Sequence, residues 1–279
     1  MSYGALNALC DVSYCIEAGE AVAVLGPNGA GKTTSLQLLT GLKKIQKGEV
    51  SLFGANPRSP KARRFIGVTP QDAAFPHAQK VGELIAFAQS HYSSPANLAE
   101  LLDAFNLSDL IGKMALELSG GQQRSLSVAL AFCGNPKAVF LDEPTTGIDA
   151  ASRHKLWRYI KKYKQAGGAI FLTTHYLEDA EMIADRVVLL NQGKIVRSGT
   201  LQEIKQAVNV RVIRFSSDVT NCSLSSARQG SIDGSRLTFL SMDADDTVRS
   251  LVNSKIAFRD LEVLPASLED AVAELLPNY

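Results

Sequence analysis

The stretch "AVAVLGPNGAGKTTSLQLL", residues 21–39, decides how this chain is read. Its first five residues, Ala21 to Leu25, form a short continuous apolar run, the kind that crosses a core as a strand buried on both faces. A glycine-rich loop follows at once, and "KTTSLQLLTGL" behind it has the spacing of a helix. The loop, "GPNGAGKTT" (26–34), fits GxxxxGK[ST] in the context that gives the pattern its mechanics, between a strand and the start of a helix. There Gly26, Asn28, Gly29, Ala30 and Gly31 can turn backbone N–H groups toward phosphate oxygens, and the helix N-terminus adds its positive end. Lys32 can reach the β- and γ-phosphates of a nucleotide, Thr33 can offer its hydroxyl to Mg²⁺, and Thr34 closes the motif.

Outward from this loop, short apolar strands keep alternating with helical patterns. "AVFLDEP" (138–144) and "AIFLTTH" (169–175) read as strands, and "RVVLLNQGKIVRSG" (186–199) as a hairpin turned at Gln192-Gly193. Strands separated by helices predict a mainly parallel sheet with helices on both sides. Residues 72–136 hold no comparable strand and read as a helical insert. Near 203–209 the pattern changes: "VRVIRFS" (210–216), "RLTFLSM" (236–242) and "FRDLEVL" (258–264) alternate as strands, while "ADDTVRSLVN" and "SLEDAVAELL" read as helices, the last capped by Ser267. The Ser/Asn/Gly-rich stretch 216–235 is expected to be a loop.

Composition narrows the class. With 279 residues, 46% apolar and 20% charged, the chain can bury a core and form one large domain and a small one. A net charge of +1 gives no electrostatic argument for nucleic acid, and the Lys/Arg runs at 43–47 and 161–164 read as solvated faces. The four cysteines show no CxxC spacing, so free thiols are the expectation. No apolar run approaches the ~18–20 residues that span a bilayer.

The acids of "AVFLDEP" complete a site: Asp142, at a strand end, is placed for Mg²⁺, and Glu143 beside it can take a proton from an attacking water. A phosphate loop, then Gln71 in "GVTPQD", "LSGGQ" (118–122), "FLDEP" and "TTH" (173–175), in that order, strongly resembles the ATP-binding subunit of ABC transporters over residues 1–205. The resemblance implies an α/β fold: a P-loop NTPase domain of ABC ATPase type, with a mixed-sheet core, an antiparallel β subdomain and a helical subdomain at about 72–136, followed by a small α/β extension over 206–279. It also implies roles. Gln71 meets Mg²⁺ and the attacking water, and His175 touches the γ-phosphate. Asp149 is the aspartate of "TTGIDA" (145–150), where Ile148 stands in place of the commoner leucine. Tyr3 occupies the place of an aromatic that stacks on adenine. Ser119, Gly120, Gly121 and Gln122 close over the ATP held by a second copy, in a head-to-tail dimer. His77, His91 and His154 match nothing.

The finer resemblance, carried by "ELSGGQQRSLSVALAFCGNPKAVFLDEPTTGIDA" and "TTHYLEDAEMIADRVVLLNQGKIVRSGT", is to the ATPases of ABC-2 type exporters of the drug-resistance group. It implies ATP and Mg²⁺ as cofactors, a transmembrane permease and a second copy of the chain as partners, and a place on the inner face of the cell membrane. The competing reading is a non-transport ABC ATPase acting on a ribosome or nucleic acid. The single phosphate loop, with no long heptad run and no CxxC, argues against it. One departure is noted: the family has a strand before the aromatic, whereas only Met1 and Ser2 precede Tyr3, so a misplaced start or a truncated chain is the expectation.

Overall fold

A computed structural model describes residues 1–3, 6–71, 74–76, 78–208, 210–219 and 222–276. The chain divides into two compact units, Met1–Ser198 and Gly199–Tyr279.

In the first unit, β1 (Ser2–Tyr3) and β2 (Leu6–Asn7) form a small antiparallel pair. The central elements follow as β3 (Ala21–Leu25), α1 (Lys32–Leu39), α2 (Pro60–Arg63) and β4 (Ile66–Thr69). Three helices then come in succession, α3 (Val81–Ser90), α4 (Leu98–Ala104) and α5 (Gly120–Phe132). The chain returns through β5 (Ala138–Asp142), α6 (Ala150–Gln165), β6 (Ala169–Thr173), α7 (Leu177–Ile183), β7 (Arg186–Asn191) and β8 (Lys194–Thr200).

The six-stranded sheet runs β4-β5-β6-β3-β7-β8. Its first five strands are parallel, and β8 joins through the Gln192-Gly193 turn, where both residues take positive φ (46 and 75). Parallel strands covered on both faces must be apolar throughout, which is why "AVAVL" and "AVFLD" do not alternate. Val22, Val24, Phe140, Phe171, Val188 and Leu190 pack on one face with Leu36 of α1. By the period of two, Val139, Leu141, Ile170, Leu172, Val187 and Leu189 turn to the other face, and all are buried.

The second unit opens with α8 (Leu201–Gln206), which packs on α10 (Leu268–Leu275), so the division falls ahead of the expected 205/206 boundary. Its antiparallel sheet has the order β10-β11-β9-β12, built from β9 (Arg211–Ser216), β10 (Ala227–Asp233), β11 (Arg236–Ser241) and β12 (Arg259–Pro265). Helix α9 (Ala244–Asn253) contributes Leu251 to a core of Ile213, Phe215, Leu237 and Phe239. Ser267 caps α10 as expected, accepting from the Asp270 amide. The expected loop at 216–235 is corrected, because it contains β10. That strand is an edge, paired only with β11 and largely exposed, so its "ARQGSID" carries no apolar alternation to betray it.

Candidate nucleotide site

Four neighbouring parallel strands, β4, β5, β6 and β3, end along one edge of the sheet. Gln71 follows β4, Asp142 and Glu143 stand at the end of β5, His175 follows β6, and the glycine loop follows β3. Sites in such sheets form beyond the carboxyl ends of the strands. Motifs scattered over some hundred and fifty residues of sequence are thereby brought to one crevice (71 to 175, with the loop from 26).

The loop is held from behind. A Cβ on Gly26 would lie 2.1 Å from the Leu190 carbonyl oxygen of β7, so only glycine fits there. The amide of Gly193, in the β7–β8 turn, donates to the Ala30 carbonyl at 3.1 Å. The first bond of α1 runs from the Ser35 amide to Gly31 at 2.9 Å. The amides of Lys32, Thr33 and Thr34 therefore have no helical partner, and they form an N-terminal cradle for an anion. The Lys32 ammonium donates to the carbonyls of Gly26 at 2.5 Å and Pro27 at 3.1 Å. Burial pulls its pKa below the ordinary lysine value, and Glu143 and Asp142 oppose that shift.

Asp142 is 3% exposed, and its Oδ1 accepts from the Thr173 hydroxyl. Glu143 adopts φ 56, the left-handed region that bulky residues avoid. Its amide donates to the Thr173 carbonyl at 2.9 Å. Its carboxylate lies against Nδ1 of His175 in polar contact and accepts from the Thr146 hydroxyl at 3.3 Å. Strain at the acid is thus coupled to a fixed orientation toward the histidine. His175 itself is half exposed, so one side of the ring faces outward.

Ser119 is the N-cap of α5: its Oγ accepts from the Gln122 amide, and its own amide donates to Gln122 Oε1 at 3.0 Å. A Cβ on Gly121 would come 2.2 Å from the Gly147 carbonyl oxygen, so this glycine lets the helix start lie against the Thr145–Ala150 loop. Among the described residues, no hydrogen bond or ion pair joins Ser119–Gln122 to the chain's own phosphate loop. Asp149 caps α6, and the hydroxyl and amide of Ser152 hold its carboxyl below the usual range. Tyr3 lies in β1, and its side chain is outside the described residues, as is His77. His91 stacks edge-on against Phe87 and His154 against Trp157, away from the loop set.

The structure adds Arg124, which the motif reading passed over. Its buried guanidinium donates to the carbonyls of Pro70 (2.7 Å), Gln71 (3.1 Å) and Glu143 (3.0 Å), and to that of Asp142. One side chain of the signature helix therefore ties the Gln71 loop to the acid-bearing end of β5. In sequence it stands between the polar "GGQQ" and the apolar run "SLSVALAF" (125–132), a place where a solvated arginine is the ordinary reading.

Among the described residues no cluster of three or more His, Cys, Asp or Glu could hold a metal unaided. Thr33 and Asp142 alone suit an ion whose remaining ligands are phosphates and water, the usual habit of Mg²⁺.

A crevice that gathers free helix-start amides, a lysine and an acid pair at the ends of parallel strands defines the P-loop nucleotide-binding class. Comparison with known proteins narrows it. The family model described as ABC transporter matches residues 9–146. The chain is 38% identical over 210 residues to the doxorubicin resistance ATP-binding protein DrrA of Mycobacterium tuberculosis, a match covering 72% of this chain and 63% of that protein. It is 32% identical over 276 residues to the Nod factor export ATP-binding protein I of Burkholderia thailandensis, covering 95% of this chain and 90% of that one. Among solved structures, an ATP-binding subunit of an ABC transporter superposes with a TM-score of 0.67 at 29% identity, over 74% of this chain and 88% of that chain. The dimeric bacterial cassette MJ0796, solved also in a post-hydrolysis state with ADP and Pi, gives 0.62 at 25% identity, over 70% of this chain and 91% of that chain. The chain belongs to the ABC transporter family.

Proposed function

We propose that this chain is the ATP-hydrolysing motor subunit of an ABC-2 type exporter. Met1–Ser198 is the motor and Gly199–Tyr279 an extension. The observation that carries the reading is the shared sheet edge, where Gln71, Asp142, Glu143, His175 and the phosphate loop emerge from four adjacent strands. The named functions of the DrrA and Nod factor relatives support export, and nothing favours a ribosomal or nucleic-acid partner.

In this reading the amides of residues 29–34 and Lys32 bind the β- and γ-phosphates, and Tyr3 lies against adenine. Thr33 and Asp142, with Gln71, hold Mg²⁺, which supplies positive charge against the phosphates. Glu143 accepts a proton from the water that attacks the γ-phosphorus as the bond to the β-phosphate oxygen breaks. His175 fixes that carboxylate and reaches the γ-phosphate. Ser119, Gly120, Gly121 and Gln122 face outward for a second copy's nucleotide, which is why they make no contact with their own. ATP bridging both copies favours the closed dimer, and hydrolysis releases it. No helix among the described residues is long and apolar enough to cross a membrane. In this reading the motor acts at the inner membrane face, with a transmembrane permease as its partner.

The test is Glu143→Gln with Mg-ATP, weighed by light scattering. Monomer converting to dimer, with Ser119→Arg abolishing the conversion, supports the reading. ATP bound by a protein that stays monomeric, even with detergent-solubilised permease added, refutes it.

A further inference from the structure

Asp179 belongs to no motif, yet it is 0% exposed and its carboxylate collects three donors. Oδ2 accepts from the Thr145 hydroxyl at 2.5 Å and the Thr174 hydroxyl at 3.0 Å, and Oδ1 accepts from the indole N–H of Trp157 at 2.8 Å. Two of these donors are placed tellingly. Thr145 is two residues beyond Glu143, and Thr174 stands immediately before His175. The Thr174 oxygen also accepts from the Tyr176 amide at 2.9 Å, which fixes the chain on both sides of the histidine. The third donor, Trp157, comes from the middle of α6 and leads to no catalytic loop. Neighbouring Glu178 and Glu181 on the same helix are exposed, so burial of this one acid is specific.

A buried carboxylate is costly unless its lone pairs are matched, and a matched network is stiff. We propose that Asp179 is a positioning residue for the Glu143–His175 pair, one carboxylate that ties the loop leaving β5 to the loop leaving β6. Its three donors include neither Glu143 nor His175. It sets their separation from behind, as a brace across the two loops. This rests on the hydrolytic reading of the site.

The three donors allow a controlled test. Thr145→Val and Thr174→Val each cut a link to a catalytic loop, while Trp157→Phe cuts a comparable link that goes elsewhere. The brace predicts that either valine variant lowers kcat for Mg-ATP about tenfold or more with KM within about twofold, as expected for lost alignment without lost binding. Thr145→Ser and Thr174→Ser keep the hydroxyl and should keep kcat. Trp157→Phe should lower Tm and leave kcat within about twofold. Equal kcat losses in all three, or unchanged kcat in the valine variants, would overturn the proposal. A wild type that does not hydrolyse ATP counts against the motor reading instead. The brace is then judged on the nucleotide-free protein, by the ¹⁵N imidazole signals of His175 identified through His175→Gln. Those signals should move in the valine variants and stay in Trp157→Phe, and signals unmoved by valine would again overturn it. Asp179→Asn, provided it folds, should shift them as well.

Discussion

Replacing Arg124 by alanine removes one guanidinium from four carbonyl oxygens. The loss does not fall equally on the four. Pro70 and Gln71 are exposed, so water can replace the arginine at their carbonyls. Asp142 is buried and Glu143 largely so, and their carbonyls stay dry. At about 1.5–3 kcal/mol for each hydrogen bond to a charged group, two unreplaced bonds give a destabilisation of about 3–6 kcal/mol. Lysine keeps the charge but lacks the planar fork, so Arg124→Lys should lose roughly half as much. The protein provides its own probe: its single tryptophan, Trp157, is buried in the Met1–Ser198 unit, so its emission in urea follows that unit alone. With an m-value of about 3 kcal/mol/M, the alanine variant should unfold at a urea midpoint lower by about 1–2 M. A shift below about 0.3 M with m unchanged would mean that the four contacts contribute nothing net, and would refute the reasoning.

Two further outcomes follow from the same structure. Burial lowers the Lys32 pKa, so the free fold binds fewer protons there than the unfolded chain does. That contribution to stability rises with pH between the lowered value and the ordinary one. Phosphates should restore the proton, so ATP binding at a pH between the lowered value and the ordinary one should take up protons, measured calorimetrically in two buffers of different ionisation heat, and Lys32→Met should abolish the uptake. Burial also pushes the Cys133 thiol up to about 12 and raises that of Cys222, while Cys10 and Cys15 are exposed. Iodoacetamide at pH 8 should therefore label two thiols quickly and the other two only after urea is added, as read by mass spectrometry.

The sheet and its site were legible because both are written in short range. Five-residue apolar runs define buried strands, and each motif sits within a few residues of a strand's end. The order of strands in space, which makes one crevice of them, could come only by resemblance. Pairing without burial left no trace, and β10 was therefore missed. Arg124 and Asp179 stayed invisible for another reason. Their partners are carbonyls, hydroxyls and an indole that are distant in sequence, and convergence on a buried charge leaves no local pattern. "YLEDAEMI" reads as one more acidic helix surface until the fold turns Asp179, and not Glu178, inward.

The hairpin turn at Gln192-Gly193 has the composition of a spare surface loop, the sort chosen for affinity tags or fluorescent insertions. Gln192 is indeed exposed, but Gly193 is buried, and it donates to Ala30 and accepts from the Cys10 amide at 2.7 Å. Lengthening it would push on the rear wall of the phosphate loop, a mould that must keep its shape before nucleotide arrives. The turn at Gly234 has no atom within 4 Å of the place a side chain would take. Anyone labelling this protein should cut there, because in this chain a turn's tolerance depends on what it leans against and cannot be judged from its letters.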